Sequence, residues 1–419
     1  MYDRITLPNG ARVVFERMDG VRSVSLGIWI GAGSRFERAE EGGSAHFIEH
    51  MLFKGTEKRS AAQLAEETDA LGGQMNAYTT RDNTCFYTRV LDTHLGRAAD
   101  VLADMFFNSR FDEADVESEK GVILEEIDMY EDTPEDVAAE MLLYNCFPGA
   151  LGRPVLGTAE SLSGLTGASL REFRDRIYTA PRIAAALAGS FTDADVDSIA
   201  SIFAAMPAAG SAAPERAEYT PCMALREKAV EQNQLVIGFP GLKTASDGRF
   251  AMQLFSSILG GSSSSRLFQT VLEKNGLCYS IYSFTAGYED TGLFAVALAA
   301  NRQSEERALR LTVDELRHIR DGGVTAAELD RAREQVTASI LMSLESSASR
   351  MNRLGYGELF LPRGALTPDE LIERYEAVTL ADVRSLAQRT LDFHRASLSA
   401  VGRVSAEEKY RELLLSGEK

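Results

Sequence analysis

The chain of 419 residues is poor in the residues that build metal and disulfide sites, with five histidines and four cysteines in all. No paired spacing connects the cysteines, which argues against a disulfide framework or a cysteine-rich metal site. We expect them to be buried as small apolar side chains. They are Cys85, Cys146, Cys222 and Cys278.

Long apolar runs and excess positive charge are also absent. No stretch approaches the roughly 18 uninterrupted apolar residues that suggest a membrane span. The first ten residues, MYDRITLPNG, lack the basic-then-apolar order of a signal peptide, so we expect a cytoplasmic protein without a membrane partner. The 62 acidic residues exceed the 44 lysines and arginines, for a net charge of −18. This charge disfavours nucleic-acid binding and suits cationic peptide substrates, although it serves solubility equally well.

The length predicts more than one domain, because a single hydrophobic core stops growing well below this size. Strands followed by helices occur in the same order in both halves, which predicts two duplicated α+β domains. We place a first domain at residues 1–205, a linker at 206–228 and a second domain at 229–419. The strands are expected at 24–30, 84–91, 183–188, 234–239, 279–284, 293–299 and 396–401, and the main helices around the histidine motif, within 92–147, after 192, at 249–259, up to 320 and as one long helix over 325–356.

The most informative motif is His46-Phe47-Ile48-Glu49-His50, which holds two of the five histidines. At helical pitch both imidazoles and the carboxylate project from one face, and the apolar residues project from the other. Two histidines four residues apart can bind one zinc ion, and a glutamate beside them suits a general base for zinc-bound water. The order H-x-x-E-H is the inverzincin signature.

A third metal ligand is expected on another element. Residues 112–132 read as a long acidic helix, on which Glu119 and Glu126 share one face because they lie seven residues apart. Spacing alone does not choose among Glu119, Glu125 and Glu126. An ordinary solvated acidic face is the competing interpretation.

Several stretches together resemble the pitrilysin superfamily of metallopeptidases, within it the processing-peptidase branch of mitochondrial β-type subunits and their bacterial homologues. These stretches are residues 7–10 (LPNG), 45–56 (AHFIEHMLFKGT), 72–79 (GGQMNAYT), 119–127 (EKGVILEEI), 152–158 (GRPVLGT) and 265–269 (SRLFQ). The resemblance spans nearly the whole chain and is far more specific than the motif alone.

The resemblance implies a zinc-dependent endopeptidase that hydrolyses peptides or presequence-like segments through a glutamate-activated, zinc-bound water. It implies one Zn²⁺ per chain, with His46, His50 and Glu126 as ligands, Glu49 as base and Glu119 as a supporting carboxylate. It also implies two duplicated domains, each a mainly antiparallel sheet covered by helices, that form a clamshell. A homodimer or a heterodimer with a related chain is expected.

For the substrate, the resemblance places Asn76, Ala77 and Tyr78 at an exposed sheet edge, where a peptide adds as a strand. A plain Gly-Gly turn leading into a strand explains these residues equally well. The second domain is expected to supply a catalytic tyrosine, which falls on Tyr279, and an arginine, where this chain has Leu272.

A leucine cannot donate to an oxyanion or to a substrate carbonyl. Three explanations are open: Arg266 replaces the arginine, a partner chain carries it, or the enzyme is slow. The alternative function is therefore a non-catalytic or weakly active scaffold subunit that needs a partner chain to complete the substrate site.

Overall fold

The computed structural model describes residues 2–208 and 213–416. Their strands, in chain order, are β1 (Asp3–Thr6), β2 (Arg12–Arg17), β3 (Ser23–Ile30), β4 (Gln74–Thr79), β5 (Thr84–Leu91), β6 (Ile183–Gly189), β7 (Met223–Glu227), β8 (Gln232–Pro240), β9 (Ser280–Gly287), β10 (Gly292–Asn301) and β11 (Ser397–Gly402).

The α-helices of the same residues are α1 (Ser44–Met51), α2 (Ala61–Ala70), α3 (Leu95–Asn108), α4 (Glu113–Glu131), α5 (Pro134–Cys146), α6 (Ala159–Ser163), α7 (Gly167–Ile177), α8 (Asp193–Phe203), α9 (Arg249–Gly260), α10 (Glu305–His318), α11 (Ala326–Ser343), α12 (Ser347–Phe360), α13 (Pro368–Ala377), α14 (Leu380–Thr390) and α15 (Glu407–Leu415). Wider helical turns cover Phe268–Glu273 and Ile319–Gly323. No helix within the described residues combines the length and the apolar character that a membrane crossing requires.

The first compact unit is built around a six-stranded sheet in the order β1-β2-β6-β3-β5-β4. All neighbouring strands are antiparallel except the parallel pair β2 and β6. Alternate residues of β6 point to opposite faces, as the pleat requires. Ile183, Ala185 and Leu187 join the main core with residues of α1, α3, α7 and α8.

The other face of this sheet is covered by α12, which comes from late in the sequence. Met351 and Leu354 of α12 pack against Trp29 of β3 and Ala184 of β6. Segment Leu341–Thr367 therefore belongs to the first compact unit.

The second compact unit contains the five-stranded sheet β7-β11-β8-β10-β9, in which only β7 and β11 are parallel. Helix α5 packs on this sheet, with Val137 and Leu142 in one apolar cluster with Val236 and Val401. Segment Asp128–Gly152, which contains α5, therefore belongs to this unit.

The two sheets repeat one topology, because β2-β6-β3-β5-β4 corresponds to β7-β11-β8-β10-β9 with the same single parallel pair. The predicted α+β class with duplicated, mainly antiparallel sheets covered by helices is confirmed. The domain boundaries at residues 205 and 229 stay a prediction, and residues 209–212 of the proposed linker lie outside the described residues.

The single long helix predicted over residues 325–356 is wrong. The chain forms α11 and α12 instead, separated at residues 344–346. Ser346 is the N-terminal cap of α12, because its side chain accepts a hydrogen bond from Ser349 N. A new helix therefore begins at this point.

Candidate metal centre

Helix α1, which carries the H-x-x-E-H motif, is fixed at its N-terminus by a buried glutamate side chain. Glu37 accepts hydrogen bonds from Gly43 N at 2.9 Å and Ala45 N at 2.7 Å, two amides that would otherwise lack partners. Gly43 has a φ of +91°, and a Cβ there would lie 2.8 Å from Leu156 O, so the turn into α1 requires glycine. Burial raises the pKa of Glu37 to about 8.

The apolar face of α1 is inserted in the core of the first unit, as its pattern predicts. Phe47, Ile48 and Met51 are buried in the main cluster. The only α1 residues that are not buried are Glu49 and His50, so the helix presents its polar face to an accessible space.

Helix α4 brings two carboxylates to this face. Glu119 is buried and accepts a 2.8 Å hydrogen bond from His50 Nδ1. The other oxygen of Glu119 pairs with the Lys54 ammonium. With its Nδ1 engaged in this way, His50 turns Nε2 towards Glu126, whereas Glu125 is exposed.

His46, His50 and Glu126 form the one group of potential metal ligands found among the described residues, with donor atoms within 4.8 Å of one another. Glu126 Oε2 lies 3.6 Å from His46 Nε2 and 3.7 Å from His50 Nε2. These separations are long for hydrogen bonds. They are close to the ~3.4 Å between ligands of a tetrahedral zinc with bonds of about 2.1 Å. The two imidazoles and the carboxylate therefore fit zinc in number, type and spacing.

His46 is held in the form that binds a metal. Burial, followed by the proximity of His50, lowers the pKa of His46 to about 3, so its imidazole is neutral at ordinary pH. Its Nδ1 is buried and has no hydrogen-bond partner among the described residues, unlike the Nδ1 of His50. A neutral imidazole is the ligand form that zinc requires.

Glu49, the predicted base, is held by a residue that the sequence analysis missed. Thr79 Oγ1 at the end of β4 donates a 2.6 Å hydrogen bond to Glu49 Oε2. Burial raises the pKa of Glu49, and the hydrogen bond from Thr79 opposes that rise. Threonine is common in β-strands for its strand propensity alone, so nothing in the sequence around Thr79 indicated this contact.

The predicted substrate segment lies on an edge strand. Among the described strands, β4 pairs with β5 alone, and the Ala77 N–H donates to the Asn76 side chain at 2.8 Å. Tyr78 packs edge-to-face on Trp29, in the cluster on the sheet face opposite the one that contains Ala77. Its ring therefore lies away from the face on which Thr79 contacts Glu49.

The residues predicted from the second domain belong to the second compact unit. Tyr279 is 78% exposed, and its backbone N–H donates to Ala299 O. Leu272 lies half-buried in the helical turn Phe268–Glu273. The role of Tyr279 stays a prediction.

Arg266, considered as a replacement for the missing arginine, is engaged in ion pairs and a hydrogen bond within the second unit. Its guanidinium forms ion pairs with Glu328 at 2.7 Å and Glu315 at 3.1 Å, and donates to Gly323 O. Hydrogen bonds and charges from these glutamates raise its pKa despite partial burial. With its guanidinium engaged by two carboxylates and a carbonyl, Arg266 is not free to bind a substrate carbonyl.

Comparison with protein families matches two models along the chain. Residues 12–159 match "Insulinase (Peptidase family M16)", and residues 164–336 match "Peptidase M16 inactive domain". An uncharacterized zinc protease of Bacillus subtilis, YmxG, is 40% identical over 96% of this chain and 99% of its own length. An uncharacterized zinc protease of Streptomyces coelicolor is 40% identical over 97% of this chain and 91% of its own.

Solved structures share the fold at lower identity. A peptidase M16 inactive domain from Pseudomonas fluorescens superposes with a TM-score of 0.89 at 22% identity, covering 97% of this chain and 99% of its own. A protease from Helicobacter pylori gives a TM-score of 0.88 at 18% identity, covering 96% of this chain and 99% of its own.

Proposed function

The chain belongs to the insulinase, or M16, family of zinc peptidases, and from this premise we propose that it is a zinc-dependent endopeptidase acting on peptides or presequence-like segments. The observation that carries the proposal is the group His46, His50 and Glu126, whose ligand atoms lie within 4.8 Å of one another beside Glu49. The match of residues 164–336 to an inactive-type domain agrees with chemistry carried by residues 46–126, which precede that match.

Each side chain around the site has a distinct task in this proposal. A zinc ion held by the three ligands would act as a Lewis acid towards water and the scissile carbonyl. Glu49 takes the proton from the attacking water and passes it to the leaving amine. Thr79 fixes the carboxylate of Glu49 by its 2.6 Å hydrogen bond, and Glu119 fixes the ring of His50 by its 2.8 Å hydrogen bond.

The substrate is proposed to add as a strand to the free edge of β4. This edge ends at Thr79, which contacts Glu49, so a strand paired there passes the base. The Ala77 N–H is covered by the Asn76 side chain, and a substrate carbonyl would have to displace that side chain to reach the amide. Main-chain pairing of this kind selects extended peptides more than particular sequences.

The competing proposal is a scaffold subunit that needs a partner chain for activity. Leu272 favours it, because this position lacks the arginine expected from the resemblance and Arg266 is committed to Glu315 and Glu328. All three ligands and the base are nevertheless present, which a purely structural subunit would not require. A dimer, with either the same or a related chain, is part of both proposals and is measured by light scattering during size-exclusion chromatography.

The test combines zinc content with cleavage of a quenched-fluorescence peptide library. We expect the wild type to hold one zinc per chain and to cleave, and Glu49→Gln to hold zinc with its rate reduced about 10²–10⁴-fold, the usual contribution of a general base. Glu125→Gln is the matched control, because Glu125 is exposed on α4 and should change neither zinc content nor rate.

Two outcomes separate the proposals. Wild-type protein that binds zinc without cleaving any peptide would contradict the simple enzyme and support the scaffold subunit. In that case Leu272→Arg and addition of a related chain are tested in parallel. Activity from the substitution alone assigns the defect to this position, whereas activity only with the second chain assigns it to a missing partner.

A further inference from the structure

Two cysteines that are distant in sequence meet in the second unit. Cys146 ends α5 and Cys222 immediately precedes β7, 76 residues further along the chain, and their sulfurs lie 3.4 Å apart. No disulfide joins them in the structure, where both are free cysteines. A disulfide has sulfurs about 2.05 Å apart, so small side-chain rotations would bring the two from contact to bonding distance.

The surroundings hold the two residues in register. Thr220 N donates to Cys146 O at 2.8 Å, and Cys222 N donates to Ser397 Oγ at 2.9 Å. Tyr219 forms a 2.6 Å hydrogen bond with the same hydroxyl of Ser397. The peptide segment that carries Cys222 is therefore tied both to the end of α5 and to the start of β11.

The two thiols differ in their access to a neighbouring cavity. Cys222 is half-buried and lines a cavity of about 160 Å³, whereas Cys146 is buried and is not among its lining residues. Arg411 also lines the cavity and its side chain is 57% exposed, so the cavity reaches the protein surface. This volume is well above the roughly 10–15 Å³ that a single buried water needs on the same measure, so the cavity admits the sulfur-bearing end of a small disulfide.

The electrostatics of the pair give the two sulfurs different tasks. A hydrogen bond from the Cys146 thiol lowers the pKa of Cys222, and the same interaction together with burial raises the pKa of Cys146. The thiolate is the nucleophile in thiol–disulfide exchange. Cys222 is thus the attacking residue and Cys146 the residue that resolves the mixed disulfide.

We propose that Cys146 and Cys222 form a thiol–disulfide exchange site, at which a low-molecular-weight disulfide entering the cavity oxidises the pair. The Cys222 thiolate attacks one sulfur of the disulfide, forms a mixed disulfide and releases one small thiolate. Cys146, after losing its proton, attacks the Cys222 sulfur, forms the Cys146–Cys222 disulfide and releases the second small thiolate. Two protein thiols are oxidised and one small disulfide is reduced to two thiols, so electrons and protons balance.

The bond would close a long loop and clamp α5 to the sheet of the second unit. Cross-links stabilise by restricting the unfolded chain, more for longer loops. For a unit of this size we expect the melting temperature to rise by at least about 4 °C on oxidation.

The test uses the full chain in glutathione buffers of increasing oxidised-to-reduced ratio, quenched with acid, alkylated after unfolding and mapped by peptide mass spectrometry. We expect a cross-linked peptide containing Cys146 and Cys222, with concurrent loss of both free thiols and the rise in melting temperature. Cys85 and Cys278 should stay fully alkylated by the reagent.

Variants assign the two steps. Cys146→Ser should accumulate glutathione on Cys222, and Cys222→Ser should leave Cys146 as a free thiol without a rise in melting temperature. Cys278→Ser is the control and should behave as the wild type, because Cys278 is also half-buried in this unit but, within the described residues, has no cysteine recorded in contact with it.

The proposal is overturned if both thiols remain free at every buffer ratio, if wild-type Cys222 keeps glutathione without forming the cross-link, or if Cys85 or Cys278 is cross-linked instead. The wild-type peptide map alone decides this, even where a serine variant does not fold.

Discussion

Replacing Glu119 by alanine isolates the support of one histidine without removing any proposed ligand. Glu119 is 3% exposed and its carboxylate accepts the 2.8 Å hydrogen bond from His50 Nδ1. The bond fixes the tautomer and the ring orientation that present Nε2 to the metal. Without it the ring is free to rotate, and the Lys54 ammonium, which pairs with the same carboxylate, is left unpaired beside the site.

The size of the effect follows from these contacts. A hydrogen bond to a charged group contributes about 1.5–3 kcal/mol. Loss of a carboxylate that supports a metal-bound histidine lowers metal affinity about 10–100-fold, which corresponds to about 1.4–2.7 kcal/mol. The two figures overlap, so we expect the zinc dissociation constant of Glu119→Ala to rise about 10–100-fold. Glu119→Gln, whose amide oxygen can still accept from Nδ1, should lose less.

Competition with a fluorescent zinc chelator measures the dissociation constants directly. Glu117→Ala is the matched control, since Glu117 lies two residues before Glu119 on α4, is 68% exposed and, among the described contacts, pairs with Lys120 and not with a residue of the site. Adding Lys54→Met to Glu119→Ala should recover part of the affinity, because it removes the unpaired positive charge. Equal zinc affinity in Glu119→Ala and Glu117→Ala would refute the idea that Glu119 positions His50.

Three further predictions follow from the same geometry. Thr79→Val should lower kcat/KM about fivefold or more, which is the contribution of one hydrogen bond. It should also move the acid limb of the pH–rate profile to higher pH, because the lost hydrogen bond is one that lowers the pKa of Glu49. An acid limb that does not move would show that Thr79 does not act on the base. Burial raises the pKa of Glu37 from 4.5 to about 8, so the folded state retains a proton that the unfolded state has released. Wild-type stability therefore falls as pH rises through this window. The melting temperature of Glu37→Gln should change less with pH over that range, and the same pH dependence in both proteins would contradict the reasoning. Zinc added to metal-free protein should raise the melting temperature of the wild type, by binding linkage, but scarcely that of Glu126→Gln; an equal rise in both would remove Glu126 from the site.

Helix α1 was predictable because the pattern that specifies it lies within one short segment of the sequence. Two histidines, a glutamate and a set of apolar residues within one helix of eight residues specify both the polar and the buried face. The choice between Glu119 and Glu126 was not local. Both lie on one face of α4, and what separates them is depth: Glu119 reaches Nδ1 of His50 from a buried position, whereas Glu126 meets the Nε2 atoms of both histidines.

Contacts between segments that are distant in the sequence were the features that the sequence did not predict. The expectation that the cysteines are unrelated small apolar residues misses the meeting of Cys146 and Cys222, which depends on α5 packing against a sheet formed by residues 223–402. The hydrogen bond from Thr79 to Glu49 likewise joins residues 30 positions apart. The break between α11 and α12 did have a local signal, since Ser346 followed by Ser347 and Ser349 is typical of a helix start.

The repeated topology explains why fold alone does not locate the chemistry. Helix α9 follows β8 as α1 follows β3, in sheets of equivalent order. The α9 side chains that are not buried are Arg249, Gln253 and Ser257. Gln253 and Ser257 repeat the four-residue spacing of His46 and His50 on one helical face, but an amide and a hydroxyl are poor partners for zinc compared with imidazole and carboxylate. Helix α9 therefore has two polar residues at the spacing of the α1 histidines but no zinc ligands. Which unit can bind the metal depends on the residues at these positions and not on the topology, which both units share.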